Sequence, residues 1–345
     1  MKMAQRILVV SLAALLLFSG CGKDGGSAGQ GSGGPGKPVI GKGHQTRELP
    51  ALGLPEGKAE LPTGVLVMID NQAQARPQMG IDKADIVFEI MAEGGITRYM
   101  ALFYTKSAEV IGPVRSARYY FVQLAKGMDM PYAHVGGATD ALSMIGELKI
   151  KDINEISNAQ KYFWQDSSRK RPHNTYTSTE KLVDAVTNKQ YAYKAPDLPP
   201  LSREFSGEPL ASGQVTLTYA TGRYGYQAQW IWEEGLGNDG GQYRRYINGK
   251  AQATADGIPL VADTIFVVAA KTRARNTDPV TSSVDIVGSG HALCIVENQI
   301  IRGTWEKTAA DKPLVIRDGN GQVMARKPGN TWIQVVDSMG DVSFD

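Results

Sequence analysis

The 345-residue sequence has little cysteine, little net charge and few long apolar runs. It contains 2 Cys, and its 37 basic and 35 acidic side chains leave a formal charge of +2 at pH 7. A chain so close to neutral lacks the excess of cations that neutralises a polyanion, which excludes general nucleic-acid binding. Two cysteines exclude a fold held by several disulfides, and 42% hydrophobic residues are enough for the chain to form its own cores.

The common catalytic and metal-binding motifs are also missing from the sequence. It has no P-loop, no dinucleotide-binding glycine fingerprint, no HExxH, no CxxC and no GxSxG nucleophile elbow. A short Ser-x-x-Lys match at Ser178 is explained by a helix cap. The histidines are too far apart in the sequence to indicate a zinc site; they are His44, His134, His173 and His291. We therefore expect no cofactor and no metal, and the sequence favours a non-enzymatic protein over an enzyme.

The first residues of the sequence predict a short secretory leader. Two cations in the first six residues precede the apolar run Ile7–Phe18. This run spans roughly 18 Å as a helix, too short to cross a bilayer core of ~30 Å. Its exit, Phe18-Ser19-Gly20-Cys21, resembles a bacterial lipobox, in which the cysteine becomes the lipidated first residue. We expect residues 1–20 to be a signal peptide and Cys21 to anchor the mature chain at the extracytoplasmic face of the cell membrane.

Glycine dominates the segment that follows the leader. Ten glycines lie between Gly22 and Gly43, and no apolar periodicity accompanies them. Such a segment buries too little surface to fold, so we expect residues 21–61 to be a lipidated cysteine followed by a flexible tether. The coil span of these roughly 40 residues is about 35 Å. The folded part should therefore stand off the membrane.

Beyond the tether, the apolar pattern divides the chain into two halves. Residues 62–190 alternate strand and helix signals, with helices predicted over 116–128, over 138–148 and from a capping box at Thr177–Glu180 to about residue 187. Three prolines mark residues 191–204 as a connector. Short strands separated by turn residues dominate residues 205–345. The sequence therefore predicts an α+β or α/β protein, with an N-terminal α/β sandwich-like domain followed by a β-rich C-terminal domain.

Polar residues that could form a ligand site concentrate between residues 89 and 174. Gly112-Pro113-Val114 directly precedes a predicted helix, where Ser116 would cap the N-terminus and Arg115 and Arg118 would share one face of the first turn. Two guanidiniums beside free helix N–H groups form a site for phosphate or carboxylate. The candidate ligand-binding residues are Glu89, Glu93, Arg98, Arg115, Ser116, Arg118, His134 and His173.

A structural role for the same arginines is the alternative. In that interpretation Arg115 and Arg118 pair with Glu89 and Glu93 and hold two layers of the fold together. The sequence leaves both interpretations open.

Several of these segments together resemble the YerB-like bacterial lipoproteins, a family of paired N- and C-terminal domains of unknown function. The matching segments are Met68–Asn71, Arg76-Pro77, Ala84–Glu89, Glu93–Arg98, Gly112–Arg118, Arg171–Asn174, Gly303–Lys307 and Pro328–Ile333. The resemblance implies a two-part exported lipoprotein. It implies no reaction and carries no catalytic residue to this chain.

Two functions of different class follow from these features. The first is a non-enzymatic membrane-anchored lipoprotein that binds a cell-envelope component or an envelope protein. The alternative is an envelope hydrolase or transferase acting on an anionic substrate, with Glu89, Glu93, His134 or His173 moving protons. Arg98, Arg115 and Arg118 would then hold the anionic group. Delivery of a substrate to a transporter is less favoured, because such binding proteins have two similar lobes and these halves differ.

We predict that replacing Cys21 with Ala releases the protein from the membrane fraction, because the lipid on this residue is the expected anchor. Fractionation of cells expressing wild type and Cys21→Ala, followed by immunoblotting, measures the distribution. Cys294→Ala is the matched control and should stay in the membrane fraction. Retention of the Cys21 variant in the membrane would contradict lipid anchoring at this residue.

Overall fold

The computed structural model describes residues 59–222, 225–237, 240–275 and 280–344. The predicted leader, the lipidated Cys21 and most of the tether lie outside the described residues. In the part of the chain that is described, no helix is long and apolar enough to cross a membrane.

Short strands and three regular helices build the first half. The helices are α1 (Tyr119–Met128), α2 (Thr139–Glu147) and α3 (Thr179–Asn188). The strands are β1 (Val65–Asp70), β2 (Ile86–Glu93), β3 (Ile96–Phe103), β4 (Tyr132–His134), β5 (Asp152–Asn154), β6 (Trp164–Gln165) and β7 (Thr175–Tyr176).

In the described part of the second half, the regular structure consists of strands and short 3-10 turns. The strands are β8 (Glu208–Pro209), β9 (Gln214–Ala220), β10 (Tyr226–Glu234), β11 (Gly241–Ile247), β12 (Lys250–Ala251), β13 (Val261–Ala262), β14 (Thr264–Ala269), β15 (Thr272–Ala274), β16 (Ser282–Val284), β17 (Gly288–Val296), β18 (Gln299–Lys307), β19 (Val315–Asp318), β20 (Thr331–Val336) and β21 (Val342–Phe344).

An eleven-stranded sheet runs through both halves of the chain. Its order is β19-β18-β17-β14-β20-β2-β3-β1-β4-β5, with β8 paired to β18. Strand β20 lies between β2 and β14 and is parallel to both. Main-chain hydrogen bonds between β2 and β20 therefore join the first half to the second. A second, six-stranded sheet has the order β12-β11-β10-β9-β21, with β13 paired to β11.

Both faces of the large sheet are covered, which gives the fold two cores. Helices α1 and α2 cover one face, where Leu124 packs in the same core as Leu66. Helix α3 and the six-stranded sheet cover the other, where Leu182 and Trp230 share a core with Val65. Successive residues of a strand point to opposite faces, so β1 supplies both cores in turn and all of it is buried.

These elements confirm the predicted fold class, a mixed α/β first half followed by a β-rich second half. The connector is fixed at both ends: the Tyr191 hydroxyl donates to the Asp152 carbonyl, and Leu201 forms a β-bridge with Arg326. The exact boundaries of the two predicted domains, at 62–190, 191–204 and 205–345, stay a prediction.

The predicted start of the first helix is wrong. Helix α1 begins at Tyr119, and its N-cap is Arg118 in extended backbone with no side-chain cap. The segment before it is held by hydrogen bonds to neighbouring strands instead: Arg115 N–H donates to the Met68 carbonyl and Ala117 N–H to the Gly136 carbonyl, at 2.9 Å each. Ser116 is therefore not a cap, and Arg115 and Arg118 do not share a helical turn.

Candidate functional site

A buried carboxylate at the end of β1 anchors the candidate site. Asp70 is 1% exposed, and its Oδ1 accepts the backbone N–H of Gln72 at 3.0 Å. Its Oδ2 lies 2.7 Å from His173 Nδ1 and 3.0 Å from Arg115 Nε. An ionised carboxylate only accepts hydrogen bonds, so Nδ1 of His173 carries a proton. Asp70 thus hydrogen-bonds one imidazole and forms an ion pair with one guanidinium.

Backbone hydrogen bonds bring three distant segments of the chain to this carboxylate. Asp70 N–H donates to the Pro113 carbonyl at 2.9 Å, and Val114 N–H donates to the Thr175 carbonyl at 2.7 Å. These bonds place Arg115 and His173, which are 58 positions apart in the sequence, on the same oxygen of Asp70. The site is therefore built by non-local contacts at the end of a fully buried strand.

A second acidic group, Glu93, lies beside this first one and binds two arginines. Its carboxylate accepts from Arg98 Nη2 at 2.6 Å and from Arg118 Nη2. Arg98 is 2% exposed, and its Nη1 donates to the Ser116 carbonyl at 2.8 Å. Ser116 therefore contributes its carbonyl to this cluster.

Electrostatics favour the ionised form of Glu93. Burial opposes ionisation, but the guanidiniums of Arg98 and Arg118 outweigh it and hold the pKa of Glu93 below its ordinary value. Burial, followed by repulsion from Arg118, lowers the pKa of Arg98. Arg115 also contributes to the field at Glu93, so the two carboxylates belong to one electrostatic cluster.

The cluster carries an excess of positive charge and holds donors that are not used. Two carboxylates, Asp70 and Glu93, face three guanidiniums, those of Arg98, Arg115 and Arg118. The Arg115 side chain is 17% exposed, and within the described residues its two terminal nitrogens make no hydrogen bond. We call these five residues together with His173 the Arg115 site. An anion is the ligand whose charge and geometry match such free guanidinium N–H groups.

Glu89 belongs elsewhere, at the junction between the two sheets. Its side chain is fully buried and accepts from Arg245 Nη2 at 2.7 Å, from Thr97 Oγ1 at 2.7 Å and from the Tyr226 hydroxyl at 2.6 Å. The predicted pairing of Glu89 with Arg115 or Arg118 is wrong, because Arg245 of the second half occupies its carboxylate. Glu93 does pair with Arg118, as the structural alternative proposed.

Aromatic rings surround the Arg245 guanidinium. Its Cζ lies 4.6 Å from the ring centroid of Trp332, 4.9 Å from that of Trp230 and 5.6 Å from that of Tyr99. Burial is the largest single influence and opposes its charge, but Glu89 together with Tyr99, Tyr226 and Tyr219 outweighs burial and raises the pKa of Arg245. The charge is therefore held by one carboxylate and three ring faces.

His134 lies apart from the Arg115 site, in β4. It is fully buried, with Nδ1 2.7 Å from the Gly136 carbonyl and Nε2 2.7 Å from Asp152 Oδ1. Both ring nitrogens are thus occupied by protein partners. His134 fixes the turn that follows β4 and is not available to a ligand.

Asp70 and Arg245 are the important residues that sequence reasoning missed. Asp70 is not among the site residues predicted from the sequence, although a carboxylate directly after a fully apolar strand is a usable signal. Arg245 stands between Tyr243 and Ile247 at the alternating buried positions of β11. A charged residue at an inward-facing position indicates a buried partner. No group of three or more His, Cys, Asp or Glu that could hold a metal occurs among the described residues.

The fold and the buried clusters define a class: a two-part protein whose halves share one sheet and one internal ion pair. DUF3048 is a family of proteins of unknown function with an N-terminal and a C-terminal domain. Residues 53–192 match the family model of the N-terminal domain, and residues 215–333 match that of the C-terminal domain. The chain therefore belongs to the DUF3048, YerB-like family.

Comparisons with individual proteins agree with this assignment. The chain is 30% identical over 282 residues to the Bacillus subtilis (strain 168) protein named "Putative lipoprotein YerB", covering 81% of this chain and 83% of that one. The crystal structure of YerB from Bacillus subtilis matches with a TM-score of 0.72 at 29% identity, covering 81% of this chain and 93% of that one. Neither name states a ligand or a reaction.

We predict that Glu93→Gln changes the acid stability of the protein. The pKa of Glu93 in the folded state lies below its ordinary value of 4.5. Its contribution is therefore fully present above that value and is lost as pH falls through the folded-state pKa. The free energy of unfolding in urea should be lower for Glu93→Gln than for wild type at pH 7, and the difference should shrink towards pH 3.

Glu208→Gln is the matched control, because Glu208 pairs with Arg302 on the surface, with side chains 63% and 60% exposed. Its stability should follow wild type at both pH values. A Glu93→Gln deficit that stays constant from pH 7 to pH 3 would contradict the electrostatic account of this cluster.

Proposed function

We propose that this chain is an exported, membrane-tethered lipoprotein that binds an anionic component of the cell envelope at the Arg115 site. The observation that carries the proposal is the pair of unbonded terminal nitrogens on Arg115, in a cluster of three guanidiniums and two carboxylates. The ligand class is a phosphate- or carboxylate-bearing molecule, because a planar guanidinium binds either group through two parallel hydrogen bonds.

Preorganisation supports binding at Arg115. Asp70 holds the guanidinium at its Nε side, which leaves the two terminal nitrogens to face a ligand. Arg98 and Arg118 each form an ion pair with Glu93. They raise the positive electrostatic potential at the site and keep this partner when a ligand binds. A fixed cation loses little side-chain freedom on binding, which lowers the entropic cost of complex formation.

The envelope location rests on the predicted leader and lipobox and on the lipoprotein name of the Bacillus subtilis relative. A tether of roughly 35 Å would hold the Arg115 site near the membrane without burying it. An anionic envelope component is therefore the ligand class within reach of the site.

A hydrolase or transferase is the second candidate, and His173 is the observation that favours it. Its Nδ1 is bound to the buried Asp70 carboxylate, and no hydrogen bond to Nε2 is formed by any residue that the structure describes. An imidazole oriented in this way by a carboxylate is suited to accept a proton at Nε2. Arg115 on the same carboxylate would then place an anionic substrate beside the imidazole.

We predict that Arg115→Gln weakens binding of an anionic ligand at least tenfold. The removed guanidinium supplies the charge and both free donors, and partial exposure makes the interaction weaker at high salt. Isothermal titration calorimetry with glycerol phosphate and with a D-alanyl dipeptide, at 20 and 200 mM salt, measures the affinity and separates phosphate from carboxylate ligands.

Arg302→Gln is the control, since Arg302 is an exposed arginine paired with Glu208, outside the Arg115 site. It should bind within twofold of wild type. Equal affinities for wild type and Arg115→Gln, or no saturable binding of either probe by wild type, would contradict the proposed site. Turnover of a phosphate or peptide substrate that is lost in His173→Asn, with binding retained, would replace the binding function by the enzymatic one.

A further inference from the structure

An apolar cavity of about 260 Å³ lies against the large sheet, on the face that α1 covers. Its floor is formed by Phe88, Ile333 and Phe266, which stand side by side in register on the adjacent strands β2, β20 and β14. Leu124 and Met128 of α1 form one wall. This cavity is separate from the Arg115 site in the residues that line it.

The opposite wall is made of irregular segments rather than a helix. The connector contributes Leu198 and the two prolines that follow it, and the chain on either side of β19 contributes Leu314 and Val323. Val323 is 41% exposed, so the cavity opens to the surface at this side. Of the described residues that line the cavity, Asp197 alone carries a charge.

We propose that this cavity binds an alkyl chain of an acyl lipid. Its apolar lining offers water almost no hydrogen-bond partners, whereas a hydrocarbon gains dispersion contacts on every side. An apolar cavity of about 150 Å³ accommodates benzene, with six carbons. In proportion, the volume here accommodates a chain of about ten carbons.

The start of the folded chain lies close to the cavity, which brings acyl chains within reach. Gly64 N–H donates to the Lys194 carbonyl at 3.1 Å, and a Cβ placed on Gly64 would lie 3.3 Å from Cδ of Pro196. Pro196 directly precedes Asp197 in the cavity wall. The described chain begins at Ala59, at most about 17 Å from Gly64. The predicted tether therefore joins the folded part near the connector, and at its other end is the predicted lipid on Cys21.

The proposal is tested by titrating saturated fatty acids, from octanoate to tetradecanoate, into the mature chain. The chain carries Cys21→Ala, so that it has no acyl group of its own. Affinity should rise about fourfold per methylene up to roughly ten carbons and then level off as the cavity fills. Adsorption to the protein surface would instead continue to rise with chain length. The absence of saturable binding, or an affinity that never levels off, would overturn the proposal.

Two variants locate the binding site, each measured on a folded protein with a cooperative thermal transition. Leu198→Trp fills the cavity from its wall, and Val323→Asp places a charge at its opening; each should lower the affinity for decanoate at least tenfold. Leu142→Trp is the control, because Leu142 is 40% exposed on α2 and does not line the cavity. It should bind decanoate within twofold of the parent. Unchanged binding in both cavity variants would overturn the proposal.

The same titration into the lipidated chain in phospholipid nanodiscs distinguishes the source of the alkyl chain. Undiminished decanoate binding identifies an external lipid as the ligand. Binding that is lost in the lipidated chain and present in Cys21→Ala identifies the anchor of the protein itself as the occupant. Either result supports an alkyl-chain site.

Discussion

The ion pair between Glu89 and Arg245 is the interaction on which the rest of this structure depends. Both side chains are fully buried, and they belong to different halves of the chain, Glu89 on β2 and Arg245 on β11. Breaking a buried pair leaves an uncompensated charge and costs about 3–5 kcal/mol, although such a pair adds little over an apolar replacement. We therefore infer that its role is to fix how the six-stranded sheet packs on the large sheet, and we expect few other packings to satisfy both charges.

Hydrogen bonds connect this ion pair to the Arg115 site. Thr97 Oγ1 donates to Glu89, and Asn71 Nδ2 in turn donates to Thr97 Oγ1, at 2.7 Å each. Asn71 directly follows Asp70, the carboxylate that orients Arg115 and His173. The position of the Arg115 site at the end of β1 is thus set by a buried network that begins in the second half of the chain. A rigid support of this kind explains how a guanidinium with unbonded donors is held in place.

Local patterns predicted much of the fold. Helix α2 and helix α3 lie within a few residues of their predicted positions, because apolar periodicity and the Ser178 cap are local signals. Helix α1 was predicted three residues too early, since the segment around Ser116 bonds to strands that only the tertiary structure brings near. Strand β18 is harder to predict from the sequence, because Arg302 and the central Gly303 interrupt its apolar pattern.

The sequence predicted most residues of the candidate site but not which of them contact one another. Glu93, Arg98 and Arg118 do meet, and Arg115 and His173 do lie together, yet the carboxylate that joins the last two is Asp70. Pairings such as Glu89 with Arg245 span 156 positions of sequence, and no local pattern encodes them. A charged residue at an inward-facing strand position is a signal in the sequence. It shows that the residue has a buried partner but not which residue that partner is.

A double-mutant cycle on Glu89 and Arg245 tests this account most directly, with the free energy of unfolding in urea as the measurement. Glu89→Leu and Arg245→Met should each lose about 3–5 kcal/mol, because each leaves one buried charge unpaired. The double variant should lose less than either single variant, since no charge is then stranded. The exposed pair of Glu208 and Arg302 is the control, and its coupling should stay below about 1 kcal/mol. Losses at Glu89 and Arg245 that simply add would contradict the claim that this buried pair determines how the two halves join.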